Sequence, residues 1–438
     1  MDGSRADSVA LLSLGCRVGR ADTGSIAAGL PPGFREAVPG EPSAWVVVST
    51  CSVTSDAAAS SRQAVRRAAR EHPGARIVVA GCHAPDEEAG FAAIPGVAAV
   101  VGPRDHAALP ALLERLRAGE ASPGALARAR RTAPGWVVSP RPGAGPARPV
   151  LKIQDGCDCA CAYCAVPLFR GASRSLPLQD CLDRIAAHGA VRPEVVLSGV
   201  HLGGWGRDLT PRRSLADLVR AAAAGRVVHR LRLSSIEPLE LPVELLSEEA
   251  GSLLCEHFHL PLQSGSDRVL AAMGRPYRAA DFARVVEATV RARPGAAIGA
   301  DVMAGFPGET EEDHRATLAL LASLPVASIH VFPFSPRPGT PAAAMAGRPR
   351  DEEVARRAAA LRAFSAARRT AFQAGLRGRE LEVVVERVRG PMANGTSREH
   401  EVVWFPSRGA VRGTIARVRA GAGGVRVGSG VAGAAAPS

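Results

Sequence analysis

The sequence predicts an α/β protein in three consecutive parts: a parallel α/β sheet, a partial or complete TIM-like βα barrel, and a small antiparallel β-barrel. Three observations lead there. Short aliphatic runs alternate with helix-like segments through the N-terminal quarter. A longer βα repeat begins near residue 150, and after Gly375 the pattern changes to strands of period two. Alternating strands and helices demand parallel pairing, whereas successive strands joined by turns pair antiparallel.

In the first part, residues 9–14 (VALLSL), 45–49 (WVVVS) and 76–80 (RIVVA) read as strands, separated by helical segments such as Ser55 to Glu71 with its basic face. Each run ends within two residues of a cysteine: Cys16, Cys51 and Cys82. Ligands gather at the carboxyl ends of strands in parallel sheets, so three thiols placed there converge and predict a metal site. Three unrelated buried thiols would not repeat that placement. Residues 118–146 are dense in Gly, Pro and Arg and read as a linker, with a short strand at Trp136–Ser139.

The central part carries LKIQDGCDCACAYCAVPLFRGASRS at 151–175, where Cys157, Cys161 and Cys164 stand as C-x3-C-x2-C. Thiolates this close in sequence fold one loop around a metal, and soft sulfur selects an Fe–S cluster or zinc. Structural zinc wants four protein ligands, which here means borrowing Cys159. Strands are expected at 195–199, 231–235, 257–261, 297–305 and 327–334, with helices at 178–189, 214–223, 242–254, 279–293 and 310–323. Function in such repeats sits on the loops after the strands, where the Cys157 loop also falls. Ser198, Gly199, Gln263, Ser264 and Asp301 are the candidate cofactor or substrate contacts on these loops. Glu309 is a further contact or the start of the next helix; His201, His259 and His330 carry no assignment. Cys181 and Cys255 are expected in core positions on helices.

A long amphipathic helix over 351–374 precedes the third part, whose strands are LEVVVERVR, HEVVWFP, AVRGTIARVRA and VRVG. From residue 377 onward there are ten arginines against five glutamates, a local excess of five positive charges.

The chain has 438 residues, too many for one core, with 46% hydrophobic and 22% charged residues, which excludes wholesale disorder. A net charge of +12 points to a polyanionic partner, and arginine supplies nearly all the cations because Lys152 is the only lysine. Nine clustered cysteines in a chain this long read as reduced thiols, not a disulfide scaffold. The apolar run before Cys16 spans about six residues, short of the 7–15 of a signal core. No window approaches the roughly 18–20 apolar residues of a membrane span. The expected location is the cytoplasm.

The spacing of Cys157, Cys161 and Cys164 resembles that of the radical S-adenosylmethionine (SAM) enzymes. LGCRVGRADT, TCSVTSDAAASSRQAVRRA and VAGCHAP look like the N-terminal domain of one branch, the methylthiotransferases. The later loops SGVHLGGWGRDL, LSSIEP, HLPLQSGSDRVLAAMGRPY, DVMAGFPGETEED and HVFPFSPRPGTPA match that branch in order. The resemblance implies a methylthiotransferase domain over 7–117, a six-unit partial radical SAM barrel over 147–374, and a TRAM-like RNA-binding barrel over 375–438. It implies two [4Fe-4S] clusters, one on Cys157, Cys161 and Cys164 that cleaves SAM to a hydrogen-abstracting radical, and an auxiliary one on Cys16, Cys51 and Cys82 that carries sulfur. An aromatic C–H has no usefully acidic proton, so acid–base residues cannot replace that chemistry.

LKIQDGCD, GVHLGGWG, SSIEP and HVFPFSPRPGTPA look closest to the type acting at C2 of N6-threonylcarbamoyladenosine-37 in tRNA. The alternatives within the family are N6-isopentenyladenosine in tRNA and an aspartate of a ribosomal protein; outside it, a zinc-bearing RNA-binding protein. The implied partners are tRNA, an electron donor such as flavodoxin or ferredoxin, and a sulfur or cluster supply system. Three departures from the family pattern are Gly19 in place of asparagine, Pro85 in place of glutamine, and GTSREH at 395–400 without the usual aromatics.

Overall fold

In the computed structural model, the structure describes residues 7–38, 40–51, 55–83, 88–120 and 145–428. The expected strand at Trp136–Ser139 and the departure at Pro85 lie outside the described residues. The N-terminal strands are β1 (Ser8–Ser13), β2 (Arg35–Glu36), β3 (Trp45–Thr50), β4 (Arg76–Gly81) and β5 (Val97–Val101). They form one parallel sheet in the order β2-β1-β3-β4-β5. Alternate residues of a strand point to opposite faces, and both faces are covered. Val47, Val78 and Ala99 pack with Ile26, Leu112 and Leu113 on one side; Val46, Val48, Ile77 and Val79 pack with Val65, Ala68 and Phe91 on the other.

Six further parallel strands form two groups of three. The first holds β6 (Val150–Asp155), β8 (Glu194–Gly199) and β9 (Arg230–Leu233), with the short β7 (Arg174–Ser175) antiparallel on the edge. The second holds β10 (His257–Gln263), β11 (Ala297–Ala304) and β12 (Val326–Pro333). A bridge between Leu231 and Leu254, and the Ile236 amide donating to the His259 carbonyl at 3.0 Å, join the groups into one arc.

The arc has a dry side and a polar side. Leu151, Ile153, Val195, Leu197, Leu231, Phe258, Leu260, Ile298 and Ala300 share a core with Ile185, Leu218, Phe282 and Leu321 of the surrounding helices. Period-two alternation turns Lys152, Gln154, Ser198, Arg230, Arg232, His257, His259, Asp301 and His330 to the concave side. Burying each large apolar side chain on the outer side contributes about 1.5–3 kcal/mol, so the register that puts the polar set inside is strongly fixed.

Capping explains where the helices begin. Ser214 and Thr310 each form a capping box with an aspartate three residues on, Asp217 and Asp313. The expected helix at 242–254 is instead two 3₁₀ turns, Val243–Ser247 and Glu249–Leu253. Gly251 sits so close to the Leu245 carbonyl that an added Cβ would lie 2.2 Å from it, a fold-back no continuous helix makes. Cys255, placed on a helix by the sequence, follows these turns, and it is buried in the core as Cys181 is.

The C-terminal strands are β13 (Glu380–Arg389), β14 (Met392–Ser397), β15 (Val402–Pro406), β16 (Ile415–Arg419) and β17 (Arg426–Val427). They make an antiparallel curled sheet in the order β16-β13-β14-β15-β17, over a core of Leu381, Val383, Val385, Ala393, Val403 and Phe405. Among the described residues β16 and β17 do not pair with each other, so the expected barrel is a half-barrel. Beneath it, Arg230 and Arg232, both fully buried, flank Glu194 at 2.7 Å each and donate to carbonyls of Thr396, Ser397 and Arg398. This sheet therefore plugs the end of the arc opposite the strand carboxyl termini. Among the described residues no helix is long and apolar enough to cross a membrane.

Candidate active site

Cys16, Cys51 and Cys82 follow β1, β3 and β4, three neighbours in the sheet. Two glycines let them approach. Gly15 has φ +120°, and a Cβ there would lie 2.5 Å from Cβ and 2.7 Å from Sγ of Cys51; Gly81 has φ +103° and would collide with the Thr50 carbonyl at 2.4 Å. Cys16 is the N-cap of the helix Arg17–Ala28, its sulfur accepting from the Gly19 amide at 3.5 Å. Cys51 is fixed through its backbone by Ser61, whose hydroxyl takes the Cys51 amide at 3.0 Å. A Cβ at Gly19 would meet nothing within 4 Å, so the departure from asparagine leaves open space beside this trio.

Cys157, Cys161 and Cys164 lie on the loop after β6. The loop is clamped by the Cys157 amide on the Gly171 carbonyl (3.0 Å), the Ala162 amide on Met273 (2.9 Å), and the Ala342 amide on Ala162 (2.8 Å). Gln154 ties it to the end of β8: its amide nitrogen donates to the Gly156 carbonyl at 2.7 Å and its oxygen accepts from the His201 amide at 2.7 Å.

A buried arginine serves one sulfur of each trio. Arg275 donates to Cys161 Sγ at 3.2 Å while paired with Glu237. Arg170 donates to Cys82 Sγ at 3.2 Å, and its two terminal nitrogens bind Asp22 (2.8 Å) and Asp155 (2.9 Å). Lys152 binds the same two carboxylates. Burial pushes both carboxyls up, but the neighbouring cations outweigh it and hold them below the usual range. Asp155 stands two residues before Cys157 and Asp22 is on the N-terminal helix, so this cluster joins the two trios into one locality.

The residues suit thiolate-bound iron. Burial pushes the Cys82 and Cys164 thiols up to about 11 and also raises Cys161. Without a metal these sulfurs stay protonated; a bound cation reverses that. A single ion with bonds near 2.3 Å draws its thiolates to about 3.8 Å, and neither trio gathers within 4.8 Å among the described residues. The set that does is Cys157, Cys159 and His201. It shares Cys157 and Cys159 with the zinc alternative but has His201 in place of Cys161 and Cys164, and it would take Cys157 away from the other trio. His201 is also held by Glu240 at 2.7 Å; the Cys159 sulfur, then Glu240, raise its pKa to about 10.

Ser198 and Gly199 end β8. Among the described residues the buried Ser198 hydroxyl has no hydrogen-bond partner, nor has Ser234 Oγ beyond β9, which suits a polar ligand at the mouth of the arc. Gln263 ends β10 with φ +65°, an unusual conformation for this residue type. Ser264 accepts from the Ser266 amide at 3.2 Å, a turn-forming bond before the next helix. Asp301 lies on the concave side, bonded to His259 at 2.7 Å and facing His330 at 3.4 Å. Glu309 accepts from the Gly305 amide at 2.6 Å and pairs with Arg357, holding the turn before the Thr310 cap.

Sequence reasoning did not single out the Asp22–Lys152–Asp155–Arg170 cluster, Gln154, Arg275, or a row of imidazoles through the arc. His400 stacks on His257 at 4.3 Å, His257 lies 6.2 Å from His259, and His259 lies 4.7 Å from His330. The GTSREH segment thus faces the arc: Arg398 donates to the Ser252 and Leu254 carbonyls.

Comparison with known proteins bears on the family and the fold. Residues 151–321 match the radical SAM superfamily, and residues 8–102 match the uncharacterized protein family UPF0004. The threonylcarbamoyladenosine tRNA methylthiotransferase MtaB of Bacillus subtilis (strain 168) is 34% identical over 341 residues, covering 77% of this chain and 76% of the relative. The tRNA-2-methylthio-N(6)-dimethylallyladenosine synthase of Erythrobacter litoralis is 33% identical over 416 residues, 90% of each chain. Among solved structures, the radical SAM methyltransferase TsrM from Kitasatospora setae aligns with a TM-score of 0.55 at 16% identity, covering 77% of this chain and 74% of that one. That last likeness concerns the fold alone.

Proposed function

The chain belongs to the radical SAM tRNA methylthiotransferases, and from that premise we propose that it methylthiolates C2 of N6-threonylcarbamoyladenosine-37, next to the anticodon. The family entails SAM, one [4Fe-4S] cluster and a tRNA substrate. The proposal adds the substituent on the base, the assignment of Cys157, Cys161 and Cys164 to the SAM-cleaving cluster, and a second cluster on Cys16, Cys51 and Cys82.

One observation carries the two-cluster reading: Arg170 touches the Cys82 sulfur and the carboxylate of Asp155, two residues before Cys157. Sulfur delivery requires the two centres to share one base, and this side chain spans the seam between them. When bound, the clusters and SAM supply the hydrogen-abstracting radical, the sulfur and the methyl group. The chain's own residues position these reactants. Arg170 and Arg275 place positive charge beside one thiolate of each trio, which favours the deprotonated ligand. Gln154 sets the distance between the Cys157 loop and the end of β8, and Ser198, Gly199 and Gln263 line the mouth where SAM or the base is held. The half-barrel packs against the other end of the arc; the arginines it exposes are assigned to the RNA backbone.

Reduction requires an outside donor such as flavodoxin or ferredoxin, and repeated turnover requires a sulfur or cluster supply system. Relatives bearing both nucleoside names match equally well, so the substituent rests on the loop sequences and on an experiment. Nucleosides from tRNA of a deletion strain, compared by mass spectrometry, are expected to lose 2-methylthio-N6-threonylcarbamoyladenosine and to regain it on complementation. Loss of the 2-methylthio dimethylallyl nucleoside instead would overturn the assignment.

A further inference from the structure

A cavity of about 760 Å³ opens between the helix Arg17–Ala28, residues Val150, Val196 and Arg232 of β6, β8 and β9, and the C-terminal half-barrel. Five arginines and two glutamates line it. Three of the five have partners. Arg35 is paired with Glu41; Arg148 with Glu194 and Glu386; and Arg232 with Glu194. Arg17 and Arg20 are different: among the described residues neither has a carboxylate within 4.0 Å or a side-chain hydrogen bond.

Arg17 is the more constrained of the two. It follows Cys16 directly, it is only partly exposed, and it shares the cavity wall with three other cations, Arg20, Arg148 and Arg232. Of the two glutamates on that wall, Glu386 is already paired with Arg148, and Asp301 on the concave side is held by His259 and approached by His330. A guanidinium among guanidiniums, beside a cavity and short of an anion, is an unfavourable arrangement in the free protein that an anionic ligand relieves.

We propose that Arg17, assisted by Arg20, receives the carboxylate of the threonylcarbamoyl substituent on the target adenosine and so selects that base. This rests on the proposed function and deepens it. A threonyl group attached through its amine keeps its α-carboxylate free, so the modified base carries an anion where a dimethylallyl base carries only hydrocarbon. Adenine bears C2 and the N6 amine on either side of N1. In this proposal the base is offered through C2 to the Cys16 trio, and its N6 substituent points to Arg17, the next residue along, on the cavity wall. Guanidinium matches a carboxylate in a two-pronged, charge-assisted geometry. An apolar substituent at the same place would leave Arg17 unpaired and exclude its water, and sites built for a polar group reject analogues lacking it.

The test uses reconstituted holoenzyme, oxygen-free, and fluorescence anisotropy with three anticodon stem–loops of one sequence. Position 37 carries threonylcarbamoyladenosine, its methyl ester, or plain adenosine. Wild type is expected to bind the acid about tenfold or more tighter than the ester, the usual scale of a charge-assisted hydrogen bond. In Arg17→Gln the acid-to-ester ratio is expected to fall to about 1–2, and Arg17→Lys to keep an intermediate ratio. An unchanged ratio in Arg17→Gln would overturn the proposal. So would equal weakening of all three RNAs, which identifies a backbone phosphate as the anion. Iron content is measured first; should Arg17→Gln lose iron, the ratio is read on Arg20→Gln, one helical turn from Cys16, where a fall of about threefold supports the proposal and no change overturns it. Wild-type turnover of acid-bearing and dimethylallyl-bearing stem–loops separates the two layers. Conversion of the dimethylallyl RNA alone refutes the proposed function, whereas conversion of the acid with an Arg17-independent ratio refutes only this inference.

Discussion

Replacing Arg170 by Met tests the seam on which the two-centre reading depends. Arg170 and Lys152 face Asp22 and Asp155, two cations against two anions, and each of the four is at most 9% exposed. Arg170→Met leaves one cation for two buried carboxylates, and breaking a buried pair from one side costs about 3–5 kcal/mol. Asp22→Asn alone unbalances the cluster in the opposite sense at a similar cost. The double variant restores one cation against one anion, Lys152 with Asp155, and is expected to be about 2 kcal/mol more stable than the sum of the single losses implies. Urea unfolding followed by fluorescence suits the measurement, since Trp45 in the N-terminal sheet and Trp205 beside the arc are both buried. Losses that add within about 0.5 kcal/mol would mean that the four side chains do not act as one cluster, and the bridge between the trios would lose its physical basis.

Three other outcomes follow from the same contacts. Gly15→Ala puts a methyl 2.5 Å from Cys51 at φ +120°, and is expected to cost about half the bound iron while SAM cleavage persists; retention of full iron in anaerobic analysis contradicts it. Glu194→Gln strips the shared carboxylate from Arg230 and Arg232, both fully buried, and is expected to destabilise by about 3–5 kcal/mol and to expose the C-terminal sheet to limited proteolysis; an unchanged digestion pattern counts against the plug. Because Asp22 and Asp155 are held below the ordinary carboxylate range, their contribution is complete above about pH 4 and is lost as pH falls beneath it. The urea midpoint is therefore expected to be flat from pH 7 to about 5, with a shallower acid fall in Asp22→Asn; an equal fall in both proteins contradicts the assignment.

Much of this molecule could be read from the sequence because its signals are local. VALLSL, WVVVS and RIVVA announce β1, β3 and β4, and the cysteines after them need only a parallel sheet to bring them near one another. The helix expected from Ser55 to Glu71 occupies those residues in the structure. Other features were out of reach for definite reasons. β14 reads MANGTS, without a β-branched run, and is a strand because its neighbours β13 and β15 pair with it. The segment 242–254 has helical composition but folds back at Gly251, a tertiary contact that no local propensity encodes. Asp22 and Arg170 are 148 residues apart, and periodicity says which face each occupies, not which charge each meets. Arg17 is one arginine among many in the sequence; its place on the cavity wall, without a carboxylate partner among the described residues, is a tertiary fact.

The central claim is that two separate sets of three thiolates each hold a four-iron cluster at one site. Anaerobic iron and sulfide analysis of wild type, Cys51→Ala and Cys157→Ala tests it most directly. About eight irons per chain are expected for wild type and about four for each variant, with SAM cleavage lost only in Cys157→Ala. A wild-type protein holding about four irons, or zinc in place of iron, would contradict the account.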